Sequence, residues 1–392
     1  MADYERQDFK RRVCFVGHAL LPGELSTLLI EKRMREVGLA DFASHRDSDP
    51  GWINWLGFPY LPKQGEPVWV DIQVIPMLAN IFWRQVANGM ATSAVEKVAL
   101  DAIASAAHDQ IELTVGWGAL TKNAIGHGQT FIDSHPELAG RFNSTHGDAG
   151  TAYAVLQMLA ASNLNGGFRV AIIGANGATA EAIACGLFTI KPTPTRITLV
   201  GKPDKNGHED KLSRLEDLRR RIITKANGNP IEVVVRQGVA ESCRGSNVVI
   251  VAIGGGSTVQ GSDIEPGSLV IDMATPRACQ AADPDWNNKL VLAAGCCQVP
   301  AKSLPVGFGR IDGHIITDMG AGGDHVVWGC LAETMINAAT GKTGHIAGTP
   351  IPDAEVERCQ RLFLDLGMKP QPPKFFGESV DWSQVRRFPV VF

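Results

Sequence analysis

The sequence carries almost no excess charge of either sign: 37 lysines and arginines face 41 aspartates and glutamates, a formal net charge of -4 over 392 residues. That leaves no basic footprint for nucleic acid or an anionic membrane surface, so any phosphate contact has to be local. Long apolar runs are also missing. Gly, Pro, Lys, Arg or Asp interrupts each one short of the roughly 18 residues that a membrane span needs. Cysteine is sparse, with eight residues, no CxxC pair and no histidine at zinc-finger spacing. This argues against a disulfide scaffold or a structural zinc site, and no metal is expected. The opening MADYERQDFKRR mixes acids with its bases and has no clean small-residue cleavage site, so it reads as a leader into a first strand and the expected location is cytoplasmic. What remains is a globular composition, 44% hydrophobic and 20% charged, and a length that suits two domains.

Residues 13–17 read as a strand and 25–37 as a helix. Residues 46–67 (RDSDPGWINWLGFPYLPKQGEP) have the composition of a long aromatic loop. Helical spacing follows from Ile75 to Gln110, fitting either a core stripe or the lining of an apolar tunnel. IELTVGWGAL is a strand running into a glycine-rich turn, and Gly147 to Ala161 is a helix. From residue 169 strands and helices alternate: RVAIIGANG, TAEAIACGLF, RITLVGK, EDKLSRLEDLRRRIIT and IEVVVRQ, then SNVVIVAIGGG, SLVIDMATP and LVLAAGC. Continuous apolar strands of this kind predict a doubly wound, Rossmann-type parallel sheet. The expected layout is an N-terminal α/β substrate domain over 1–150, a Rossmann domain over 151–343 and a C-terminal extension over 344–392. Residues 324–340 are expected to form a helix capped by Asp324 and stopped at Gly341.

The strand Val170–Ile173 runs into Gly174-Ala175-Asn176-Gly177-Ala178-Thr179-Ala180, a variant of the dinucleotide fingerprint. Glycine lets the backbone turn tightly beside a pyrophosphate, and the next helix offers its N–H groups. A second glycine-rich turn, around Ile253 and Gly254, suits the adenosine side. The second strand ends at Val200-Gly201-Lys202, with no acid for the ribose hydroxyls. Lys202, with Lys205 nearby, fits a 2′-phosphate instead, so NADPH is the expected cofactor.

Two thiol positions compete as nucleophile. Cys330 is expected about two turns into the 324–340 helix, with His325 or His314 assisting it if the fold brings them close; Cys296 and Cys297 follow a strand at the sheet edge. Read alone, a cysteine on an apolar helix face favours core packing over catalysis. Cys14, Cys185, Cys243, Cys279 and Cys359 read as packing residues.

Taken in order, VCFVGHALL, GWGALTKNAIGHG, FNSTHGDAGTAYAV, RVAIIGANGATAEAIA, SLVIDMATPR, AAGCCQVP and WGCLAETMINAATG resemble the cyanobacterial-type long-chain acyl-(acyl-carrier-protein) reductases, which form fatty aldehydes. The resemblance spans most of residues 13–341, and its specific parts are the glycine turn and GCLAE. It implies that Cys330 accepts an acyl group from an acyl-carrier-protein or coenzyme A thioester, and that NADPH reduces the acyl-enzyme to an aldehyde. An aldehyde-consuming partner would follow. His146 and Tyr153 are the leading candidates for the proton source and oxyanion donor, among Thr121, Lys122, His127, Ser144, Thr145 and Thr151; His18 matches the opening motif. The chain departs from the family in its longer leader, the Trp52, Trp55, Phe58 and Tyr60 segment, the Cys296-Cys297 pair, Ala180 and the C-terminal extension. The alternatives are a shikimate-dehydrogenase-like oxidoreductase of a small molecule, with Lys122 and Asn123 handling protons and substrate, and a non-catalytic NADPH-binding sensor.

Overall fold

The computed structural model describes residues 5–19, 30, 34–35, 52–118, 120–164, 167–201, 209–254, 257–274, 277–300, 310–311, 314–315, 326–376 and 378–388. Lys202, Lys205, Asp324 and His325, and most of the helix expected at 25–37, lie outside them. The chain divides into two compact units. The first comprises residues 1–150, 297–349 and 359–369, and the second 151–296, 350–358 and 370–392.

In the first unit β1 (Arg11–Ala19), β2 (Ile53–Tyr60), β3 (Val68–Leu78), β4 (Glu112–Trp117) and β5 (Asn143–Thr145) form a six-stranded sheet with His345–Ile346, in the order 345–346, β5, β4, β1, β3, β2. All neighbours are parallel except β2, which runs antiparallel along β3 at the edge. Val13, Cys14, Phe15 and Val16 are all buried, as a central parallel strand covered on both faces requires. The expected loop at 46–67 is corrected by β2. Its Phe58 and Tyr60 alternate inward and are fully buried, and Pro59 is tolerated because the strand is an edge. Helical spacing also begins later than expected: residues 75–78 complete β3, and α1 (Ala79–Ala87) and α2 (Met90–His108) follow, broken at Gly89. The apolar stripe of α2 (Ala91, Ala94, Val95, Val98, Ile103) packs with Val16, Ile75 and Trp117, so it is core. After β4 comes one turn of helix, α3 (Thr121–Ala124), and after β5 a longer helix, α4 (Asp148–Ala161).

In the second unit β6 (Arg169–Ile173), β7 (Arg196–Gly201), β8 (Glu232–Gln237), β9 (Val248–Val251), β10 (Leu269–Asp272) and β11 (Leu290–Ala293) are parallel neighbours in the spatial order β8, β7, β6, β9, β10, β11. This is the 3-2-1-4-5-6 order of the doubly wound dinucleotide fold. Residues 374–375 and 378–379 extend it antiparallel to eight strands. The α5 helix (Ala178–Gly186) follows β6, and α6 (Glu209–Lys225) follows β7.

The chain then returns to the first unit. Val326–Trp328 is a strand, and α7 (Gly329–Ala339) begins only after it. Cys330 is therefore the second residue of its helix instead of lying two turns inside. The β-branched pair Val326-Val327 favours extended backbone over a helical start. This helix was expected within the Rossmann domain. It belongs instead to the first unit, where Thr334 packs onto the bare Cα of Gly116 in β4 and Trp328 stacks on Phe15 of β1 at a centroid distance of 6.4 Å. Likewise 344–392 is no separate extension, since its segments are shared between the units; α8 (Asp353–Asp365) begins in the second.

Candidate active site

Two carboxyl-end connections of the first sheet converge on one buried acid. The loop after β4 turns at Gly118, whose carbonyl accepts from the Thr121 hydroxyl at 2.6 Å, and this starts α3 with Lys122 on it. Just beyond, His127 adopts left-handed backbone (φ 55°, ψ 38°), a strain of about 1–3 kcal/mol for a residue with a Cβ. After β5 the chain passes through His146 and Gly147 to Asp148, the first residue of α4, where the helix dipole favours a negative charge.

Asp148 has no solvent exposure and gathers three nitrogen groups. Lys122 Nζ donates to its Oδ1, while His146 Nδ1 lies 3.0 Å and His127 Nδ1 3.3 Å from its Oδ2. Burial pushes the Asp148 carboxyl up, but the Lys122 ammonium and the two imidazoles outweigh it and hold the group well below the usual carboxylate range. His146 is buried like Asp148; His127, with 24% of its side chain exposed, is the member nearest solvent.

A second buried acid holds this loop in place. Glu333 of α7 accepts a hydrogen bond from the Thr145 hydroxyl and another from the Gly150 backbone N–H at 2.6 Å, so it grips both sides of the segment that bears His146 and Asp148. Thr145 Oγ in turn accepts from the Gly147 N–H at 3.1 Å. Replacing Glu333 by Leu strands a buried N–H and a buried hydroxyl at about 1–3 kcal/mol each. A lower melting temperature in calorimetry is the expected outcome, and an unchanged one would show that the grip adds nothing.

Gly147 sets the distance to the helix. Its φ is +72°, and a Cβ built there would lie 2.3 Å from the Cβ of Cys330, so only glycine lets the loop touch α7 at that residue. All eight cysteines are thiols, and Cys330 alone is half-buried while the other seven are buried. Burial pushes the Cys185 thiol up to about 11 and the Cys243 thiol up to about 12, consistent with packing roles. Cys296 and Cys297 are buried too.

Thus the first unit brings together Lys122, His127, His146 and, through Gly147, Cys330. Tyr153 is fully buried and belongs to the second unit. His18 stacks on Phe82 at 4.8 Å and accepts from the Leu120 N–H at 3.3 Å, which supports the loop before Lys122. Asp148 and the grip of Glu333 escaped sequence reasoning; the available signal was an acid opening a helix directly after a strand and a glycine.

In the second unit the Gly174 and Ala175 N–H groups both donate to Val200 O of β7, at 2.9 and 3.1 Å, and the Gly177 N–H donates back to Gly174 O at 3.0 Å. Gly174 has φ +85°, and a Cβ there would meet Ala252 O at 2.5 Å and Ile253 Cγ2 at 2.9 Å. The turn therefore sits tightly between β6 and β9, where the strand order reverses, with Ile253 and Gly254 alongside. Gly177 supplies no capping side chain at the start of α5, before Ala178 and Thr179, and a helix N-terminus presents N–H groups to an anion. These features fit a dinucleotide pyrophosphate.

No family model and no curated protein matches the chain. Among solved structures, the chain is similar to quinate dehydrogenase from Corynebacterium glutamicum in complex with NAD (12% identity, 91% of this chain and 99% of that one, TM-score 0.35). It is also similar to the nucleotide-binding domain of glutamyl-tRNA reductase from Thermoplasma volcanium (19%, 36% and 84%, TM-score 0.23). A third is Thermococcus litoralis Δ1-pyrroline-2-carboxylate reductase, of which it spans about a third (17%, 32% and 35%, TM-score 0.24). At such identities and scores these likenesses assign neither family nor activity, and the chemistry has to come from this chain's own residues. Among the described residues, no helix is long and apolar enough to cross a membrane.

Proposed function

We propose that the chain is a nicotinamide-dependent oxidoreductase acting on a small hydroxy or carbonyl compound, with Lys122 as the proton-exchanging residue. The observation that carries this reading is the buried Asp148 carboxylate paired with Lys122 and set beside two imidazoles. The glycine turn at the strand-order reversal of the second unit supports it from the cofactor side. A nicotinamide, when bound, supplies or accepts a hydride at the substrate carbon. The oxygen on that carbon must then gain or lose a proton in step. Lys122 Nζ, positioned by its pairing with Asp148, donates that proton in the direction of reduction and recovers it in reverse. His127, partly open to solvent, connects the pair with bulk water. NADPH over NADH remains part of the proposal on the strength of Lys202, and comparison of KM for the two nucleotides tests it.

A second reading keeps the acyl-thioester reductase, with Cys330 accepting the acyl group from a carrier protein or coenzyme A. One observation favours it: the sole half-buried cysteine opens an eleven-residue helix, where the dipole stabilises a thiolate. One assay separates the two readings. Nicotinamide absorbance is followed with wild-type protein and Cys330→Ser on panels of hydroxy acids, carbonyl compounds and thioesters. The first reading expects turnover of a hydroxy or carbonyl compound that survives Cys330→Ser within about threefold. Turnover confined to thioesters and abolished by Cys330→Ser, with an acyl adduct missing from the variant in intact-mass spectra, would replace it with the second.

A further inference from the structure

Among the described residues, His127, His146 and Asp148 are the one group of three metal-ligating side chains whose donor atoms all lie within 4.8 Å of one another. His146 Nδ1 lies 3.0 Å and His127 Nδ1 3.3 Å from Asp148 Oδ2, so three atoms that can each give a lone pair to a metal meet at one carboxylate oxygen. His127 Nδ1 and Asp148 Oδ2 are both closed to solvent. Three donors about 2.0–2.2 Å from one ion at tetrahedral angles would stand roughly 3.3–3.5 Å apart, against 3.0 and 3.3 Å for the two imidazole nitrogens from Asp148 Oδ2 and at most 4.8 Å between the imidazole donors.

We propose that His127, His146 and Asp148 bind one divalent transition-metal ion, zinc in the first instance, through two imidazole nitrogens and Asp148 Oδ2. Two histidines with one carboxylate suit a borderline ion, and three protein ligands leave a fourth position for water or a substrate oxygen. Lys122 stays on Oδ1, so ammonium and metal share one carboxylate from opposite oxygens. Their mutual repulsion weakens the site, and removing the lysine charge should therefore tighten it. In this position the ion would act as a Lewis acid toward an oxygen. The inference uses the residues of the proposed reaction without depending on that reaction.

The test uses the full chain, stripped with a chelator and titrated with Co2+ while the visible absorption is followed; zinc retained after dialysis is measured by atomic absorption. One ion per chain with a tetrahedral Co2+ band is the expected result. His127→Ala, at a partly exposed position and so compatible with folding, should weaken binding by more than the 10–100-fold that loss of a mere supporting contact brings. Asp148→Asn, checked for folding by circular dichroism, should do the same, and Lys122→Met should bind more tightly. Absence of the band and of retained zinc, or uptake undiminished by His127→Ala, would overturn the site. If such a metal-free chain still loses turnover on Lys122→Met, the acid–base reading survives the loss of the metal. Metal uptake by a chain that turns over no hydroxy or carbonyl compound would uphold the site and remove the reaction.

Discussion

Lys122→Met should lower kcat on a hydroxy or carbonyl substrate by about 100- to 10,000-fold, the usual effect of removing a positioned acid–base group. Nicotinamide nucleotide affinity should stay unchanged, because the glycine turn belongs to the other unit. Stopped-flow absorbance together with a fluorescence binding titration reads both quantities. A kcat within a few-fold of wild type would exclude Lys122 as the proton donor. The same variant has a signature in stability. A carboxyl whose folded-state value is depressed stabilises the fold at pH above its unfolded value of about 3.9, and this contribution is lost as pH falls through the folded value. Asp148 is such a group, and Lys122 is the strongest of the influences depressing it. Without the ammonium the depression shrinks, so the acid-unfolding midpoint of Lys122→Met should move to higher pH.

Gly174→Val should abolish useful dinucleotide binding. A β-branched residue at φ +85° is a true backbone outlier, and its Cβ would lie 2.5 Å from Ala252 O, a main-chain atom of a residue anchored by its N–H bond to Ile173 O at 2.9 Å. Strain of about 1–3 kcal/mol adds to the overlap. A dissociation constant raised about 100-fold or more for both NADPH and NADH, by fluorescence titration, is the expected outcome, with circular dichroism confirming the sheet. Undiminished affinity would mean that the turn is merely a tight connection and that the nucleotide, if one binds, sits elsewhere.

The contrast between the two units explains which features could be read in advance. Strands such as Val170–Ile173 and Val248–Val251 are covered on both faces, and therefore appear in the sequence as unbroken apolar runs between turns. The Rossmann order followed from them. By contrast Ile53–Tyr60 is an edge strand, where Gly57 and Pro59 carry little penalty, so its composition mimics a loop. The helix at 329–339 was started too early because Val326, Val327 and Trp328 are as apolar as the helix they precede. At the site, Lys122, His127 and His146 were visible as residue types suited to proton transfer. The acid that unites them was not, because an aspartate at a helix start looks like any N-terminal helix residue. Only the fold shows that it meets a lysine 26 positions earlier. Glu333 is further removed still, 188 residues from the hydroxyl it binds, and no local pattern reports such a pair.

That separation has a consequence for biosynthesis. The Thr145–Gly150 loop cannot reach its final form until Glu333 has been made, 188 residues after Thr145. At roughly 5–20 residues per second this is about 10–40 s of elongation. During this interval the six parallel strands of the second unit are synthesised, while β5 still lacks its neighbour at His345–Ile346. The nascent first unit thus waits with five of its six strands made and one edge open. The cluster around Asp148 gains its Glu333 support only when the ribosome has passed the parallel strands of the second unit.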